Sequence, residues 1–147
     1  MNYMLIALSL TLVAVPVITL ERSACFGACP VYKLTIYDDG KVEYEGHEWV
    51  KRKGKAQGQI TKEALEKLVG EFEKIDYFNL DYFYHNEGKN CPTLWSDHPT
   101  AVTSLEWKGK KKKISHYHGC KGTTVLAQLT ALEDKIDDVV NSAQWIK

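Results

Sequence analysis

Four cysteines in 147 residues constrain this chain more than any other feature, two of them in Cys25-Phe26-Gly27-Ala28-Cys29-Pro30 behind an uncharged apolar N-terminus. Cysteine use follows compartment: in an oxidising environment these residues are covalent staples, whereas in a reducing cytosol they suggest metal binding or thiol chemistry. Tyr3 to Leu20 carries no charge, and Met4 to Val15 has the length and composition of a signal-peptide apolar region. Residues 1–16 therefore read as a leader and residues 17–147 as a single domain, periplasmic or secreted. The alternative is a chain anchored by an uncleaved N-terminal segment, since no Lys or Arg precedes the apolar run and no clean Ala-x-Ala follows it. Pro16 and the β-branched Val17, Ile18 and Thr19 argue against a membrane span, so no stable insertion is expected once the leader is removed.

The rest of the chain has the composition of one globular domain, with nineteen basic residues balancing nineteen acidic ones. No global field then favours nucleic acid or an anionic membrane, and a charged partner has to be met locally. Lys108 to Lys113 is a dense basic tract, but it sits at an expected hairpin tip, where lysines commonly keep an edge solvated.

Val17 to Ser23 reads as a short first strand. Val31 to Tyr37 alternates, Asp38-Asp39-Gly40 supplies a tight turn, and Val42 and Tyr44 continue the pattern as a hairpin. Glu48 to Arg52 is expected as a further strand and Gly54 to Gly58 as a polar connection. Thr61 caps a helix that repeats Leu65, Leu68, Val69, Phe72 and Ile75 on one face. The aromatics from Tyr77 to Tyr84 are expected to fill core, and His85 to Pro99 to form an irregular loop. Thr100 to Trp107 and Lys110 to Tyr117 form a second hairpin across Lys108-Gly109. Thr123 or Thr124 then caps a last helix with Val125, Leu129, Leu132, Ile136, Val139 and Val140 inward, and Trp145 docks the tail. The expected fold is α+β: an antiparallel sheet built from two hairpins plus a short N-terminal strand, with two helices packed on it.

The run Leu20-Glu21-Arg22-Ser23-Ala24-Cys25-Phe26-Gly27-Ala28-Cys29-Pro30-Val31-Tyr32, continuing to Asp38-Asp39-Gly40 and Tyr44-Glu45-Gly46, resembles a bacterial family classed as a domain of unknown function, DUF6438. Cys91 to Pro99, His116-Tyr117-His118-Gly119-Cys120 and Leu132-Glu133-Asp134-Lys135-Ile136-Asp137 extend the resemblance from about Ile18 to Trp145. It implies a small, often exported α+β domain and supplies no catalytic residues.

Four cysteines allow three disulfide connectivities. The loop between Cys25 and Cys29 can curl to the Cα separation of roughly 4.4 to 6.8 Å that a bridge requires. If Trp107 pairs opposite Lys110, Cys120 falls opposite Asp97, a few residues from Cys91. Cys25 with Cys29 and Cys91 with Cys120 is the favoured pairing, and the crossed pairings stay open. The competing reading is a metal site, zinc foremost: His116, His118 and Cys120 share one face of a strand, with a further cysteine completing the set. Thiol redox chemistry has less support, because the spacing is CxxxC. Ser96, Asp97, His98 and His116 could compose a hydrolase triad, but no local motif selects them. The reading is therefore an exported, disulfide-stabilised binding or interaction domain without catalysis or cofactor, whose partner is an unknown protein or small molecule. Its candidate surface is Trp95, Asp97, His98 and His116, on the Cys91 to Pro99 loop beside the Cys25 to Pro30 loop.

Overall fold

Alternating apolar residues build the centre of the molecule. In a computed structural model that describes residues 9–147, β1 (Pro16–Arg22) buries Ile18 and Leu20 on one face, with Thr19 and Glu21 on the other. β1 lies between the two hairpins, pairing antiparallel with β2 (Val31–Tyr37) on one side and β7 (Thr100–Trp107) on the other. β3 (Lys41–Glu48) and β4 (Gly54–Gln59) extend the first hairpin, and β8 (Lys110–Tyr117) completes the second. The sheet has seven strands in the order β4-β3-β2-β1-β7-β8-β5, antiparallel except where β5 (Phe83–Tyr84) runs parallel to β8. β6 (Thr93–Leu94) and β9 (Cys120–Lys121) form a separate two-stranded ribbon.

Each hairpin turn has a local cause. Gly40 takes φ +82° in the first, where a Cβ would collide with the Ile60 carbonyl. Lys108 and Gly109 both have positive φ in the second, the backbone of a two-residue turn that matches strand twist.

Both main helices pack on one face of the sheet. α1 (Lys62–Lys74) is capped by the Thr61 hydroxyl, which accepts from the Ala64 N–H at 3.0 Å, and buries Leu65, Leu68, Val69 and Phe72. α2 (Thr124–Val140) is capped by Thr123 and buries Leu126, Leu129, Leu132, Ile136 and Val140. Val125 and Val139 lie at the edge of that stripe and are half-buried. Asn141, at φ 53°, ends α2 in the left-handed conformation that turns the chain back into α3 (Ala143–Ile146). Trp145 then stacks on Tyr44 with ring centroids 4.9 Å apart, over Gly58, and its carbonyl accepts from the Arg52 N–H at 2.8 Å.

Several expectations need correction. Glu48 to Arg52 is not a strand: β3 ends at Glu48, and Trp49 with φ 53° starts the turn to β4. Gly54 to Gly58, expected as a connection, lies within β4; its low strand propensity is overridden by backbone pairing with β3 along the register Gly46↔Gly54 to Lys41↔Gln59. Among the aromatics, Tyr77 and Tyr84 are buried, but Tyr82 and Phe83 are largely exposed. Trp107 does face Lys110, yet Cys120 pairs with Leu94 and not Asp97, because β8 stops at Tyr117 and the chain turns at Gly119. Within the lysine tract Lys112 is buried, reaching the carbonyls of Phe78 and Leu80 with its ammonium 4.0 Å from the centroid of the Tyr82 ring.

The first eight residues, and with them half of the apolar leader, lie outside the described residues. Leu10, Leu12 and Val13, which follow, are at least four-fifths exposed. No helix among the described residues is long and apolar enough to cross a membrane.

Candidate functional site

Strand register lines up side chains in rows across the helix-facing side of the sheet. One row runs Lys112, Leu105, Ile18, Ile36, Val42, and the next Ile114, Thr103, Leu20, Leu34, Tyr44. A third, nearest the loop end, is polar: His116, Ala101, Arg22, Tyr32. Above it α2 presents Glu133 and, one turn later, Asp137, so an acidic ladder meets a row of donors.

Asp137 collects four hydrogen bonds. Its Oδ2 accepts from Arg22 Nε at 3.0 Å and Nη2 at 2.8 Å, and its Oδ1 accepts from the Tyr32 hydroxyl at 2.8 Å and the Ser142 hydroxyl at 2.5 Å. Arg22 Nη2 also reaches Asp134 Oδ1 at 3.2 Å. The turn at Asn141 is what delivers Ser142. Burial disfavours the charged guanidinium, but attraction to Asp137 outweighs it and holds Arg22 firmly protonated. Burial raises the Tyr32 phenol well above its usual range, and the neighbouring Asp137 charge raises it further.

Glu133 occupies the middle of the apolar stripe of α2 and is 1% exposed. Its Oε1 accepts from His116 Nδ1 at 2.7 Å, its Oε2 from His118 Nε2 at 2.7 Å, and the two imidazoles stack with centroids 4.5 Å apart. Burial alone would push the carboxyl up; the hydrogen bonds from His116 and His118 overcome that and hold it below the usual glutamate value.

Beside these networks a cavity of about 410 Å³ opens at the loop end. Arg22, His118 and Asp137 supply polar wall; Pro30, Pro99 and Ile146 supply apolar wall, and Cys29 lies at its margin. Cys29, Pro30 and Pro99 share its wall, and the chain just before the Cys25 to Pro30 loop is tied to the start of β7 by hydrogen bonds from Ser23 N–H to the Thr100 carbonyl at 3.0 Å and from Thr100 N–H to the Ser23 hydroxyl at 2.9 Å.

Disulfides join Cys25 to Cys29 and Cys91 to Cys120, so neither crossed pairing occurs. Cys91 and Cys120 are buried, and Cys120 therefore offers no thiolate to a metal with His116 and His118. Trp95 is 55% exposed and Asp97 exposed, while His98 is half-buried with Nδ1 2.7 Å from the Ser96 carbonyl. His116 does not join them. Strand alternation sends Tyr117 toward that loop, its hydroxyl donating to the Trp95 carbonyl at 2.7 Å, and turns His116 inward to Glu133.

Sequence reasoning passed over Arg22, Tyr32, Glu133 and Asp137 as site residues. The available signal was Glu133 itself, a carboxylate at helical spacing from Leu126, Leu129, Ile136 and Val140 in what is otherwise an apolar stripe.

Fold and site together define a class: a disulfide-tied α+β domain with one helix-covered sheet face and a polar row beside a cavity at the sheet's end. The chain belongs to the family described as Domain of unknown function (DUF6438), whose model matches residues 16–140. A comparison with curated proteins gives no match.

Proposed function

We propose that this protein is an exported binding module that takes a small, partly apolar ligand or the end of a protein segment into the loop-end cavity, without catalysis. The observation that carries this reading is the cavity itself, with apolar walls around a few oriented polar groups, the usual make-up of a ligand site. Export is supported by two disulfides and by the uncovered Leu10, Leu12 and Val13, which contribute nothing to the core. Pro99 belongs to the wall, and the adjoining His98, with Trp95 at 6.1 Å between ring centroids and Asp97, is the proposed extension of that surface. The balanced net charge, and a cavity wall in which Arg22 and Lys147 match Asp137 and Asp138, offer no excess of positive charge to nucleic acid.

The test is ligand-observed NMR with a fragment library on the oxidised protein. Expected are fragments that compete for one site and are lost in Ala143→Trp, which places a bulky ring at the exposed cavity rim without touching the core. Fragments that bind Ala143→Trp as well as wild type, or no binding fragments at all, would sink the reading. Within the hits, Trp95→Ala or Asp97→Ala weakening the larger ligands several-fold would extend the site to the rim.

A further inference from the structure

We infer that His116, His118 and Glu133 form a binding site for a divalent transition-metal ion of the zinc class. One donor atom from each residue lies within 4.8 Å of the other two, on two elements fixed by the core: His116 and the adjoining His118 at the end of β8, and Glu133 on α2. Two imidazole nitrogens and one carboxylate form a set that suits zinc and its neighbours, and it does not suit calcium or magnesium, which take oxygen ligands.

Charge supports the same conclusion. Glu133 is a buried carboxylate, and no lysine or arginine forms an ion pair with it among the described residues; its only partners are the two histidines. Burying a carboxylate is costly, a cost that the two histidine hydrogen bonds offset here, and a cation among the three groups would neutralise the charge directly. The atoms need little rearrangement. His116 Nδ1 and His118 Nε2 already converge on the carboxylate, and a metal ion would replace the two hydrogen-bonded protons, each ring then carrying its proton on the other nitrogen. An alternative donor, Cys120, is excluded by its disulfide to Cys91.

Access follows from His118, which belongs both to this cluster and to the cavity wall. An ion would enter from the cavity, and three protein ligands leave at least one coordination position for water or a bound ligand, as in open zinc sites. The site stands on its own donors and does not depend on the cavity accepting an organic ligand.

The experiment uses the untagged, oxidised protein stripped with a chelator, titrated with zinc alone by calorimetry and by competition against a chromophoric chelator. One saturable equivalent is expected, with affinity reduced at least a hundredfold in His118→Ala and at least tenfold in Glu133→Gln. His47→Ala and His98→Ala, which remove histidines outside the cluster, should leave it unchanged. Zinc should raise the melting temperature of wild type, by mass action, and magnesium should not. Should Glu133→Gln fail to fold, the His118→Ala comparison decides, since that side chain lies toward the surface. No saturable zinc binding, or binding that survives His118→Ala undiminished, would overturn the inference. Retained zinc binding in Ala143→Trp with loss of fragment binding would separate this site from the cavity reading.

Discussion

The Asp137 carboxylate faces unfavourable surroundings, near the C-terminal end of α2 where the helix dipole is negative. Four hydrogen bonds, two of them from Arg22, satisfy its oxygens there. Asp137→Ala would leave the Arg22 guanidinium and the Tyr32 hydroxyl without their partner. It should cost about 2 to 4 kcal/mol in urea denaturation, Asp137→Asn costing less because it keeps an acceptor. Tyr32 and Tyr77 give a pH signature. Burial raises both phenols above the ordinary tyrosine value, so each holds its proton more tightly folded than unfolded. That contribution is complete below the unfolded tyrosine value of about 10 and is lost as pH rises through the folded one. In an alkaline ultraviolet titration these two of the eight tyrosines should ionise last, together with unfolding; ionisation of all eight while the near-ultraviolet circular dichroism stays native would refute this. At this scale the sequence displayed the histidines and cysteines but not their partners. His116 and His118 stand out as types, whereas Arg22 and Asp137 look like ordinary surface charges until strand and helix are superposed.

Among the elements, β4 and α3 explain each other. β4 is an edge strand of Gly, Lys, Ala and Gln, and its Gly58 leaves the space into which Trp145 of α3 packs. Trp145→Ala should cost about 3 to 5 kcal/mol. Gly58→Val should destabilise too, since a Cβ there would meet the Trp145 ring at 3.2 Å. The two changes touch one contact, so in a double-mutant cycle their combined cost should fall short of the sum; strict additivity would mean that Trp145 does not rest on Gly58. The hairpins and both long helices were legible because apolar period and caps coincide there, as at Thr61 and Thr123. β4 was not, since nothing in its composition favours a strand and the cause is the open edge of β3. The register of Cys120 was missed for a similar reason, a turn at Gly119 that sequence spacing does not reveal.

For the whole molecule, the disulfides divide the work unequally. Cys91–Cys120 spans 29 residues and ties the long loop to the end of the second hairpin, while Cys25–Cys29 closes a small loop beside the cavity. Replacing the first pair by alanine should cost about 3 to 4 kcal/mol by chain entropy, the second about 2 kcal/mol. Equal losses in guanidinium denaturation would show that loop length is not what matters here. By itself the sequence determined the α+β class, the strands of the two hairpins, most of the buried face of both helices (Leu126 excepted) and the family, because each follows from local periodicity, capping or a contiguous motif. Only the tertiary structure decided that β1 lies between the hairpins, that His116 turns inward away from Trp95 and Asp97, and that Glu133 and Asp137 meet the polar row. Those arrangements depend on register across strands and on the rotation of a helix over a sheet, and both are fixed by the summed packing of residues far apart in the chain.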